Sequence, residues 1–129
     1  MSDSRAGKAI LVVDDHADTR AFIQAALEGA GYEVRTAREG AEALELQNSR
    51  PADLLISDLF MPGTEGFETI RNFRQQHPQT RIIVISAGTV PGMKHDFLTA
   101  AGLLGVGATL RKPFSADQLL DAVRRVLAH

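Results

Sequence analysis

Short apolar runs recur along this chain, and stretches with helical spacing separate them. The runs are Ala9-Ile10-Leu11-Val12-Val13, Glu33-Val34-Arg35-Thr36-Ala37, Leu54-Leu55-Ile56-Ser57, Ile82-Ile83-Val84-Ile85 and Ala108-Thr109-Leu110. Each has the length of a strand. The unbroken runs suit strands covered on both faces, as in a parallel sheet. The second run alternates more, which predicts an edge strand.

Between the runs lie one-sided helical patterns. Phe22, Ile23, Ala26 and Leu27 share a face, as do Ala41 and Leu44, and then Phe67, Ile70 and Phe73. Leu119, Leu120, Val123, Val126 and Leu127 make the cleanest stripe, with Ser115 and Gln118 spaced as a capping box at its start. Gly29 and Gly31 fall where the first helix should stop. The weakest stretch is Ala87 to Gly107, rich in glycine, where a short or mobile helix is expected. The pattern is β-α five times over. It predicts an α/β fold: a five-stranded parallel sheet, doubly wound, with helices on both faces. Ligands of such sheets sit beyond the C-terminal strand ends, near the topological switch point.

A chain of 129 residues fits one domain. The expected division is a flexible N-terminal segment over 1–8 and one domain over 9–129. A formal net charge of −2 provides no global basic field for nucleic acid. The absence of cysteine excludes a disulfide framework, a thiolate metal site and a cysteine nucleophile. Met1 to Lys8 lack the apolar stretch of a signal peptide, and no apolar run is long enough to span a bilayer. The expectation is a soluble cytoplasmic protein with no direct nucleic-acid or membrane partner.

The polar residues at the strand ends carry the chemistry. Asp14 and Asp15 follow the first run, Asp58 the third, Ser86 the fourth and Lys112 the fifth. Singly, a loop-starting Asp is usually a helix cap or turn former, and a strand-end Lys is usually solvated. Together they bring three carboxylates, a hydroxyl and an amine to one edge of the predicted sheet. Clustered carboxylates repel and need neutralising. A hard divalent cation with oxygen ligands, Mg2+ above all, is the natural partner, and Lys112 supplies one further positive charge. Such a pocket offers cationic centres to a phosphoryl group, with a carboxylate as nucleophile.

The segments Leu11-Val12-Val13-Asp14-Asp15, Asp58-Leu59-Phe60-Met61-Pro62, Ile85-Ser86-Ala87 and Lys112-Pro113-Phe114 resemble the receiver domain of two-component response regulators. The resemblance runs from about Lys8 to Leu127, in the family's order. It implies a CheY-like, flavodoxin-like (βα)5 fold and a phosphorylation-dependent switch, here a stand-alone module and not an enzyme. Asp58 is then the phosphoacceptor. Asp15 ligates Mg2+ directly, Asp14 acts mainly through water, and the Phe60 backbone carbonyl is a further ligand. Lys112 pairs with the phosphoryl oxygens and its bond to Pro113 is cis. Ser86 hydrogen-bonds the phosphoryl group, and the small Ala87 leaves the approach open. The implied partners are a sensor histidine kinase or histidine phosphotransfer protein as donor, and a downstream protein target.

Two departures from the family pattern stand out. Its usual aromatic switch position falls on Thr109, which has no ring to swing inward. The interval from Ser86 to Lys112 is also longer and richer in glycine, so the stretch Gly88 to Gly107 is expected to carry the output change. Two alternatives remain at this level. A Mg2+-dependent phosphohydrolase would also use an Asp nucleophile, but one such class needs a second Asp where Phe60 stands. A flavodoxin-like binding module would carry Ser, Thr and Gly after the first strand, where this chain has Asp-Asp-His. His16 reads as a further polar group of the site or, at shorter odds, as the exposed start of a helix. Arg71, Arg74, Arg124 and Arg125 read as solvated helix faces.

Overall fold

The computed structural model describes residues 8–58, 65–86 and 106–128, with the backbone alone over 65–67. Within them the elements run β1 (Ala9–Val13), α1 (Ala17–Gly29), β2 (Glu33–Ala37), α2 (Gly40–Ser49), β3 (Leu54–Asp58), α3 (Glu65–Gln76), β4 (Arg81–Ser86), β5 (Ala108–Arg111) and α4 (Ala116–Ala128). The sheet order is β2-β1-β3-β4-β5, and every pairing is parallel. The alternating second run is indeed an edge strand. The helix expected after Ser86 falls outside the described residues as far as residue 105.

Alternation of side chains along the strands builds two cores. Leu11, Val13, Leu55, Ile82 and Val84 point to one face, where they meet Ala43 of α2 and Ile70 and Phe73 of α3. Ile10, Val12, Leu54, Ile56, Ile83 and Ile85 point to the other, against Ile23 and Leu27 of α1 and Leu119, Val123 and Val126 of α4. This two-sided cover explains why the central runs are apolar without a break.

Helix ends follow their sequence signals. Ser115 Oγ accepts from the Gln118 backbone N–H at 3.1 Å, and Gln118 Oε1 accepts from the Ser115 N–H at 2.9 Å, so the capping box opens α4. Gly29 ends α1, and Gly31 takes a φ of 99°, a left-handed conformation that glycine adopts without strain.

Two helix faces differ from the sequence reading. In α2 the buried residues are Gly40, Ala43 and Gln47, while Ala41 is exposed. The helix packs by close approach: a Cβ on Gly40 would collide with the Thr69 side chain of α3. Leu44 of the expected pair is half-buried and packs against the core, as does Leu46, so the departure is Ala41, whose place is taken by Gly40, Ala43 and a satisfied amide. In α1, Phe22 is exposed, its ring 6.1 Å from that of Phe114.

Candidate functional site

The order of the strands reverses between β1 and β3, since β2 flanks β1 on one side and β3 flanks it on the other. The C-terminal ends of these two neighbours form the switch point, where doubly wound sheets place their ligands. Asp14 follows β1 directly, and Asp58 is the last residue of β3. Both are buried, at 0% and 1% exposure, while Asp15 is exposed. Register puts Asp58 beside Ile85, so Ser86, buried at the end of β4, lies one step further toward the same edge. Lys112 follows β5, and its backbone N–H donates to the Ser86 carbonyl at 2.7 Å. That bond ties the base of the lysine to the end of β4. The Lys112–Pro113 bond is cis, as the resemblance implies.

The Lys112 ammonium donates to Asp14 Oδ2 and to Asp58 Oδ2, each at 3.0 Å. Two buried carboxylates thus share one cation. Burial lowers the lysine pKa, whereas the hydrogen bonds to Asp14 and Asp58 and the two carboxylate charges raise it. The balance lies above its ordinary 10.5. Lys112 is therefore held as an ammonium across the physiological range. One ammonium leaves the three carboxylates of the pocket with a net negative charge.

Asp14, Asp15, His16 and Asp58 each offer a ligand atom, and these atoms lie within 4.8 Å of one another. The donors are mostly hard oxygens, two of the carboxylates are buried, and their charge exceeds what Lys112 can offset. The set fits a hard divalent cation. His16 is the N-cap of α1, yet its side chain makes no capping hydrogen bond. Its backbone N–H donates to Asp14 Oδ1 at 2.8 Å, and its ring Nδ1 lies 3.2 Å from Asp14 Oδ1 and 3.1 Å from Asp15 Oδ1. His16 is thus the exposed start of a helix, as expected, and its ring also borders the acidic pocket. Arg20 was not singled out in the sequence. Its guanidinium donates to the Asp14 carbonyl at 2.6 Å, bracing the backbone of the acidic pair from one turn along α1. Only its spacing from Asp14 could have signalled this.

The Phe60 carbonyl and Ala87 lie outside the described residues, as does nearly all of the glycine-rich stretch after Ser86. Thr109 is exposed on β5, in register with Val84. Among the described residues, no helix is long and apolar enough to cross a membrane.

A family model described as the response regulator receiver domain matches residues 10–124. The chain is 35% identical over 119 residues to the chemotaxis protein CheY of Bacillus subtilis, covering 92% of this chain and 96% of that protein. It is 34% identical over 120 residues to the transcriptional regulator NtrC of Escherichia coli, covering 93% of this chain but 25% of NtrC. The chain therefore spans about a quarter of the length of its NtrC relatives. The crystal structure of the chemotaxis response regulator CheY4 of Vibrio cholerae superposes with a TM-score of 0.80 at 35% identity. It covers 92% of this chain and 98% of that one.

Proposed function

The chain belongs to the receiver domains of two-component response regulators, phosphoacceptor signalling switches, and on that footing we propose that Asp58 is the residue phosphorylated. The observation that carries the proposal is the Lys112 ammonium 3.0 Å from both Asp14 Oδ2 and Asp58 Oδ2 at the switch point of the sheet. In this reading an Asp58 carboxylate oxygen attacks the phosphorus of a phosphohistidine. The oxygen–phosphorus bond forms as the phosphorus–nitrogen bond to the donor breaks. Lys112 moves its hydrogen bonds from the carboxylates to the phosphoryl oxygens, and the Ser86 hydroxyl donates to the same group.

Asp15, Asp14, Asp58 and the Phe60 carbonyl would hold Mg2+, Asp14 mainly through water. The cation supplies charge neutralisation for the incoming phosphoryl group. Lys112 offsets part of the carboxylate charge, and Arg20 fixes the backbone from which Asp14 projects. A sensor histidine kinase or histidine phosphotransfer protein is the donor in this reading. A downstream protein reads the product, in the cytoplasm. The output surface is the stretch Gly88 to Gly107, since Thr109 has no ring to carry an aromatic switch.

Intact mass after incubation with a small acyl phosphate tests the acceptor. The wild type gains one phosphoryl group when Mg2+ is present and none in excess chelator, and Asp58→Asn gains none. Unchanged modification of Asp58→Asn would overturn the assignment.

A further inference from the structure

We propose that His16 is a nitrogen ligand of the acidic pocket and tilts its metal preference from Mg2+ toward borderline transition ions, Zn2+ in particular. The inference rests on the reading of Asp14, Asp15 and Asp58 as a cation pocket. Its own basis is the placement of one ring atom. His16 Nδ1 lies 3.2 Å from Asp14 Oδ1 and 3.1 Å from Asp15 Oδ1. Ligands bound to one ion at about 2.1 Å stand roughly 3.0 Å apart at right angles and roughly 3.4 Å apart at tetrahedral angles. Both separations fall within that span. The ring nitrogen therefore stands at ligand spacing from Asp15, the direct ligand in that reading, as a hydrogen bond between the two would also place it.

Local structure makes the ring available. At an N-cap, a polar side chain ordinarily turns inward to accept from the first helical N–H groups. The His16 side chain does not. Instead its backbone N–H is anchored on Asp14 Oδ1 at 2.8 Å, which fixes the residue beside the pocket, and the ring turns to the two carboxylates. The side chain is also 65% exposed. It can leave or join an ion without disturbing the core.

The chemistry of the donors then sets the selectivity. Mg2+ prefers oxygen ligands and retains its waters, so it gains little from an imidazole. Zn2+ binds imidazole nitrogen well, and divalent affinities for nitrogen-containing sites rise along the first transition row. The same pocket without His16 offers oxygen alone. One residue thus separates the two ions: loss of the ring should weaken Zn2+ and spare Mg2+.

Calorimetric titration of Zn2+ and Mg2+ at fixed neutral pH, on wild type, His16→Ala and His16→Gln, provides the test. Both substitutions are expected to weaken Zn2+ by about tenfold or more, and to change Mg2+ affinity by less than about twofold. Glutamine keeps a hydrogen-bond donor near the carboxylates but lacks the ring nitrogen, so a merely structural histidine would be rescued by it. Nitrogen-15 spectra of the imidazoles supply a second readout: the His16 Nδ1 resonance shifts on Zn2+ addition, and the shift is lost in Asp15→Asn. Zn2+ affinity retained in His16→Ala, or restored in His16→Gln, overturns the role of the ring while the cation pocket stands. If neither ion binds the wild type, the pocket reading itself fails.

Discussion

Two buried polar groups of residues occupy opposite ends of the same sheet, and they are built on opposite principles. At the N-terminal end, the Gln47 side chain donates to the Ala52 carbonyl at 3.2 Å and to Thr80 Oγ1 at 2.9 Å, while its own oxygen accepts from the Ala52 N–H at 2.9 Å. This set is neutral, and the amide uses both its ends. At the C-terminal end, Asp14 and Asp58 share one lysine, with Asp15 close by. That set is charged and out of balance. A buried network that satisfies itself specifies a fold and asks for nothing more. One that carries excess charge is stable only at a cost, which a ligand from outside can offset. The first holds the loops before β3 and β4 in place, and the second keeps open a demand for cations.

Substitutions at the two ends should therefore separate stability from phosphoryl uptake. The largest effect is expected for Gln47→Ala. It strips partners from the Ala52 backbone and from Thr80 in a buried place, so urea denaturation should show a loss of about 2–4 kcal/mol. Phosphoryl uptake by the folded fraction should stay within about twofold of wild type. A variant that keeps its stability would mean that the amide is dispensable and the contrast unfounded.

Metal affinity at the other end comes next. Asp15→Asn should weaken Mg2+ roughly tenfold, and Asp14→Asn by less, because a direct ligand loses its charge at the ion and a water-mediated one loses it at a distance. Titration of Mg2+ against both variants measures the difference. A larger loss for Asp14→Asn would exchange their roles.

The smallest expected effect runs in the opposite direction to the first. Asp58→Asn removes one of two carboxylates that share Lys112, while the amide oxygen can still accept from the ammonium. In excess chelator the variant should be more stable than wild type, by on the order of 1 kcal/mol. Destabilisation on that scale would show that the charged set contributes to folding after all.

Strand ends were legible in the sequence because apolar runs stop abruptly at Val13, Ile56, Ile85 and Leu110, with polar residues directly behind them. Parallel topology, which aligns all C-terminal ends, put Asp14, Asp58 and Lys112 at one edge; their contact depends on strand order and on the reach of the lysine across β4. Where contact depended on shape, sequence pattern misdirected. The buried face of α2 runs through Gly40, Ala43 and Gln47 because its first residue lies against Thr69. A search for large apolar residues passes over such a face. Phe22 was expected to join the buried face of α1, but it is exposed and faces the Phe114 ring. His16 was ambiguous because an N-cap position explains a polar residue without reference to its ring. Arg20 was passed over because its acceptor is a backbone carbonyl, so that only its spacing from Asp14 could mark it.

Asp58 ends β3, and β3 lies between β1 and β4, with helices covering both faces. An added phosphoryl group needs volume, and the strand that bears it is clamped on four sides. Close-packed interiors yield little under such a load. If Asp58 is the acceptor, as proposed, the residue that takes up the group sits on a strand held on all sides, and displacement would pass to more compliant parts. Among the described residues β5 pairs with β4 alone, and it carries Lys112 just beyond its end. On that reading, a close-packed centre would make the rim of the sheet, and the stretch leading into β5, the place where a covalent change becomes a movement.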